Sequence, residues 1–148
     1  MQKTYKFAII YFLIFSLLLL LSSILLFEAK IGFSIQSIIE YYQGNADNFI
    51  SAKSFGGILK IVLPHIFAFG LFIMVLLHFG VFTKSKNSLL FKIIIYSSFI
   101  LGFVEIFSPL LIIQGFVIFA YIKMFAFIFF ELLMLFLFWV LFKSIVYD

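Results

Sequence analysis

The sequence predicts an all-α integral membrane protein: a four-helix bundle with an amphipathic surface helix in its first extracytoplasmic loop. Three observations predict it. Of 148 residues, 66% are hydrophobic and only 11% are charged, against about 25% charged in soluble domains. A soluble core of this size needs a polar shell, and there are too few polar residues to make one, so the solvent is lipid. The apolar residues fall into four runs near the roughly 20-residue length that spans a bilayer. The lysines outside those runs alternate between sparse and dense connections, as the positive-inside rule requires.

The chain reads as one membrane domain over 1–148, with spans at about 7–27, 58–82, 93–113 and 116–142 and an outer loop at 28–57. Met1 to Lys6 is a short basic tail. Phe7 to Phe27 then runs without a charge. It is too long for a signal-peptide core and no small-x-small site follows it, so it reads as a retained first span.

Glu28 to Lys60 is the sizeable polar segment. Within it Ile35, Ile38, Ile39 and Tyr42 recur at helical spacing, the apolar stripe of an amphipathic helix. Ser34 is a candidate N-cap, Ser37 with Glu40 has capping-box spacing, and Gly44-Asn45 supplies a stop. With Tyr41, Tyr42 and Phe49 at hand, the segment is expected on the membrane surface with its rings at headgroup level. The alternative is a lid over a ligand near His65. Ser54-Phe55-Gly56-Gly57 reads as a turn into the second span.

The second span carries Pro64 and the only two histidines, His65 and His78. Thr83 to Lys92 is a basic loop with Lys84, Lys86 and Lys92. The third span is expected to break at Ser108-Pro109, with a turn at Gln114-Gly115. Trp139, Lys143 and Tyr147 anchor the end of the fourth. Lys3, Lys6, Lys84, Lys86, Lys92 and Lys143 share one side, which the positive-inside rule makes cytoplasmic. Both termini are therefore expected inside, in the inner membrane of a bacterium.

Three charges fall inside apolar runs, each worth roughly 2.5–3.5 kcal/mol of insertion cost if left alone at mid-bilayer. Glu105 and Lys123 stand symmetrically about Gln114. An antiparallel hairpin turning there brings them to one depth, about 12–14 Å in, as a structural ion pair. The alternative is a looser re-entrant stretch over Ser108 to Tyr121, with both charges near the surface. Glu131 is a buried charge without a partner at matching depth on its own helix. It is read as pairing between subunits, as serving a proton-linked role, or as kept neutral by its apolar surroundings.

Histidine is a common axial ligand of membrane b-type haem. His65 and His78 lie about 20 Å apart along one helix, so one haem cannot take both. They are also about 140° apart around it. A bis-histidine site then needs a second chain, with Gly70, Gly80 and Gly102 leaving room for the macrocycle. The alternative is histidines that pack or hydrogen-bond at helix interfaces. No metal site is expected, since no third histidine or carboxylate shares either depth. Without cysteine, thiolate metal sites, disulfides and cysteine nucleophiles are excluded. All ten basic residues are lysine, so bidentate arginine clamps are absent. No phosphate loop, catalytic triad or nucleic-acid surface can be drawn, and enzyme activity and nucleic acid are not expected.

Tyr41-Tyr42-x-Gly44, Lys53-Ser54-Phe55, Pro64-His65, His78-Phe79 and Ser108-Pro109-Leu110, in that order, resemble the pattern of a family of small four-span bacterial inner-membrane proteins with no assigned activity. The likeness covers most of residues 28–113. It departs at Leu63, where the family carries a further histidine, and at Leu110, where it carries tryptophan. The resemblance implies fold and location, and the missing histidine weakens a metal reading. The leading expectation is a non-catalytic accessory or assembly subunit of a larger membrane complex, its partners the bilayer and other membrane subunits or a second copy of itself. The alternatives are a haem b electron-transfer subunit using His65 and His78, and a small proton-linked transporter using Glu131.

Overall fold

The computed structural model describes residues 3–81, 83 and 88–147. Phe82, Lys84 and Lys86, which the sequence reading uses, lie outside the described residues, as do the side chains of Lys3 and Tyr147. Five helices follow in order: α1 (Lys3–Lys30), α2 (Ile35–Gln43), α3 (Phe55–Gly80), α4 (Leu89–Ile112) and α5 (Ile118–Tyr147). All but α2 are long and apolar enough to cross a membrane. There is no strand among the described residues, only an isolated Asn45–Ile50 bridge. This is an all-α membrane helical bundle.

α2, α3 and α4 begin where a serine side chain can take up a free backbone N–H. Ser54 accepts from Gly57 N at 3.1 Å, so α3 starts at Phe55 and the two glycines lie in its first turn. The expected turn there is helix instead. Ser88 accepts from Phe91 N at 3.1 Å, which starts α4 at Leu89 and shortens the basic loop. Ser34 caps α2, accepting from Ser37 N at 3.0 Å while Ser37 Oγ answers the Ser34 backbone. The capping box is thus Ser34 with Ser37, and Glu40 is free for other bonds. Gly44 ends α2 with φ of 82°. A Cβ there would lie 2.6 Å from Ala52 N, so glycine is required on both counts.

α4 does not break at Ser108-Pro109; it continues to Ile112. Proline removes the N–H that would bond the carbonyl four residues back, here that of Glu105. That carbonyl finds other donors, described below, so the helix runs on.

α5 is the centre of the bundle, packing on α4 most extensively and on α1, α2 and α3 as well; α3 packs beside α4. The α3–α4 contact is close because Gly80 and Gly102 carry no side chain. A Cβ on Gly80 would meet the Phe91 ring at 2.2 Å, and one on Gly102 would meet Ile73 at 3.2 Å, whereas Gly70 faces open space. Two of the three glycines considered for a haem are therefore filled by neighbouring side chains.

α1 runs antiparallel to α5, as the Phe27–Phe127 stack (centroids 4.1 Å) and the Ser23–Glu131 contact require. One end of the bundle thus carries the chain termini and the other carries α2. A core cluster around Ile73, Leu76, Met134 and Leu137 fills the first end. A second, around Ile38, Tyr42, Ile58 and Ile112, seats α2 on the other. The stripe read from the sequence is the seated face: Ile38 and Tyr42 are buried. Tyr42 therefore turns into the protein, whereas Phe49 is exposed at 96%.

Candidate functional site

α1 and α3 touch near the terminal end, where Phe12 packs against Phe79 (5.1 Å) and Phe72 (6.5 Å). Toward the α2 end they part, leaving a cleft of about 550 Å³. That lies within the roughly 300–1,000 Å³ of small-molecule sites. Its depth is apolar, with Leu19, Phe69, Phe72 and Phe130 among the walls. Toward α2 it becomes polar and cationic, with Lys30, Lys60, His65, Tyr41 and Tyr42. Its floor is α5, which presents Lys123 and Glu131.

Lys123 is 3% exposed and its ammonium is fully used. It donates to both Glu105 carboxylate oxygens, at 2.7 and 2.6 Å, and to the Glu105 backbone oxygen at 3.2 Å. An ammonium has three N–H groups, so each has an acceptor. The backbone oxygen is the one freed by Pro109, and Ser108 Oγ also approaches it at 3.3 Å. The rings of Phe27 and Tyr42 lie 5.9 Å from Nζ and close the pair over. The structure brings Glu105 and Lys123 together inside helical segments, not in a looser stretch. Above them, burial pushes the Tyr42 phenol well above its ordinary pKa, and the Glu105 charge adds to the effect.

Glu131 is 6% exposed and does have a neighbour, on another helix of the same chain. Ser23 Oγ hydrogen-bonds its Oε1, while Oε2 has no hydrogen-bond partner among the described residues. Ser23 Oγ also lies 2.8 Å from Leu20 O. The Ser23 hydroxyl thus stands between the Leu20 carbonyl of its own helix and the Glu131 carboxyl of α5. Ser23 is separated from Glu131 by most of the chain, and no spacing rule could pair them.

The histidines are not brought together. His65 lines the cleft, its Nδ1 2.7 Å from Ile61 O. His78 lies near the other end of α3, does not line the cleft, and packs beside Phe79 (6.4 Å). No group of three metal-ligating side chains occurs among the described residues. Sequence reasoning missed Lys30 and Lys60, the cations of the mouth. Both belonged to a polar connection, and only the parting of α1 from α3 makes them neighbours of one space.

A family model described as a transmembrane helical domain matches residues 32–148. The chain belongs to this family, Aq_1264_TM. The matched domain covers α2 to α5 and begins just beyond α1, so the cleft lies between the family's domain and a helix outside the matched stretch. No curated protein and no solved structure gives a match. The four apolar helices and the family together identify a multi-pass membrane protein.

Proposed function

We propose that the chain is a non-catalytic accessory protein of the bacterial inner membrane whose working part is the α1–α3 cleft, where it holds a membrane-soluble amphiphile. One observation carries this reading: the cleft is graded along its length, apolar where α1 and α3 meet and cationic where α2 covers it. A partner helix supplies no polar head for the cationic end, where Lys30 and Lys60 line the mouth. A slender chain with a polar head suits it better. Tyr41 and Tyr42 make α2 the cover of the polar end, which favours the lid reading of this segment.

The test is extraction of the protein, purified in mild detergent, followed by mass spectrometry of what it retained. A stoichiometric amphiphile is expected. Ala68→Trp places a large side chain on the exposed cleft wall and should abolish retention without changing helical content. Wild-type protein that retains nothing in proportion to chain would sink the reading. The haem b alternative is favoured by one feature, the presence of His65 on the cleft wall with Nε2 left for a ligand. A Soret band from protein made in haem-replete cells would support it over an amphiphile, and His65→Ala should then remove that band.

A further inference from the structure

We propose that the occupant of the cleft is a single anionic phospholipid, its phosphate held between Lys30 and Lys60 and one hydrocarbon chain lying along α3 toward Phe72. The proposal rests on the amphiphile reading and adds the headgroup and, from the lysine bias toward the terminal end, the outer leaflet.

Charge comes first. Lys30 and Lys60 both line the mouth, both are exposed, and neither side chain has a hydrogen bond or ion pair among the described residues. The third cation, Lys123, is fully committed to Glu105. Glu28 does not cancel Lys30, since two positions along a helix set them about 160° apart, and Glu28 does not line the cleft. The mouth therefore offers two positive charges to something outside the chain. Lysine binds phosphate as a mobile point charge, and two lysines at the level of the headgroups suit a lipid phosphodiester.

Length comes second. From Lys60 to Phe72 the α3 wall runs about 18 Å at 1.5 Å per residue. One leaflet of a bilayer with a hydrocarbon core of about 30 Å is about 15 Å deep. A lipid whose phosphate sits at Lys60 thus ends its chain close to where Phe72 and Phe12 close the cleft. Pro64, also in the wall, has no N–H to give the Lys60 carbonyl. That carbonyl is an acceptor at the mouth for a glycerol hydroxyl.

The test uses the full chain in detergent offered equal amounts of phosphatidylglycerol and phosphatidylcholine, with native mass spectrometry counting what stays bound. The wild type should hold one phosphatidylglycerol with a preference on the order of tenfold or more. The Lys30→Gln/Lys60→Gln double variant, altered at exposed positions only, should still hold one lipid but lose the preference. Ala68→Trp should hold neither. A double variant that keeps the wild-type preference, or a wild type without any, overturns the headgroup assignment while leaving the cleft reading standing. Lipid retained equally by Ala68→Trp is lipid bound elsewhere on the surface, and both readings then fall. Unchanged helical circular dichroism and detergent melting of each variant confirm that the comparison is between folded proteins.

Discussion

Lys123 is held by three acceptors because Pro109 makes one of them available. Removing one partner of a buried pair leaves an uncompensated charge and costs about 3–5 kcal/mol, so Lys123→Met should lower expression and the detergent melting midpoint sharply. Pro109→Ala restores the N–H that bonds the Glu105 carbonyl within the helix. The loss from Lys123→Met should therefore be smaller in a Pro109→Ala background, and equal losses in both would separate the proline from the pair. A Glu105→Lys/Lys123→Glu swap should restore part of the loss of either single change. It cannot restore all of it, because a carboxylate at 123 then faces the Glu105 carbonyl. At Glu131 a neutral isostere keeps the side chain's shape and an oxygen for the Ser23 hydroxyl. Glu131→Gln should thus be tolerated within about 1 kcal/mol, measured by melting; a large loss would mean that the carboxylate charge is itself required. The depth match of Glu105 and Lys123 was legible from their symmetric placement about Gln114. Pro109 as the source of a free acceptor was legible too, since it stands four residues after Glu105, but its residue type reads first as a breaker. Ser23 was not legible, because nothing local sets the register of α1 on α5.

Among the elements, α2 shows how short-range chemistry fixes a helix that the membrane does not. Its cap, stripe and stop were all readable, because each depends on residues within a few positions. What the stripe packs against was not, since a surface helix and a helix seated on protein share one pattern. The Glu40 carboxylate accepts from Gln36 Nε2 and Asn45 Nδ2, both at 2.9 Å, joining the helix to the following turn. Those bonds, Gln36 first, hold its pKa below the ordinary 4.5. A lowered folded pKa contributes stability that is present above the unfolded value and is lost as pH falls through the folded one. Hydrogen-exchange protection of α2 amides should accordingly weaken as pH drops below about 4.5. Glu40→Gln, which does not titrate, should show a flat profile over the same range; a parallel decline would assign the effect elsewhere. At the α3–α4 contact, Gly80→Ala forces the Phe91 ring away and should cost about 1–3 kcal/mol as overpacking. Phe91→Leu should recover part of it, and no recovery would place the strain on the backbone.

At the scale of the molecule, the cleft depends on how α1 sits against the domain that the family match covers. α1 is anchored by Phe27 on Phe127, Ser23 on Glu131 and Phe12 on Phe79, a narrow seam that leaves most of its surface to lipid. The four spans were legible because lipid demands a long unbroken apolar run and the chain supplies four. The gap between two of those runs was not, since apolar residues facing lipid and apolar residues facing a cleft look alike in sequence. We propose the orientation from the lysines, six of which lie with the termini and the Thr83–Lys92 connection, against three lysines offset by three acids around α2. On that proposal α2 and the mouth of the cleft face away from the cytoplasm. The chain lacks cysteine, so any introduced thiol is the sole target of a membrane-impermeant maleimide. Phe49→Cys, at a 96% exposed position, should be labelled from outside, with the outer membrane opened where there is one. Leu89→Cys, at a 74% exposed position, should be labelled only once the inner membrane is permeabilised. The reverse pattern would move Lys30 and Lys60 to the cytoplasmic leaflet, where anionic lipids would reach the same two charges from the other side. The headgroup assignment would survive that result; the leaflet and the lysine rule would not.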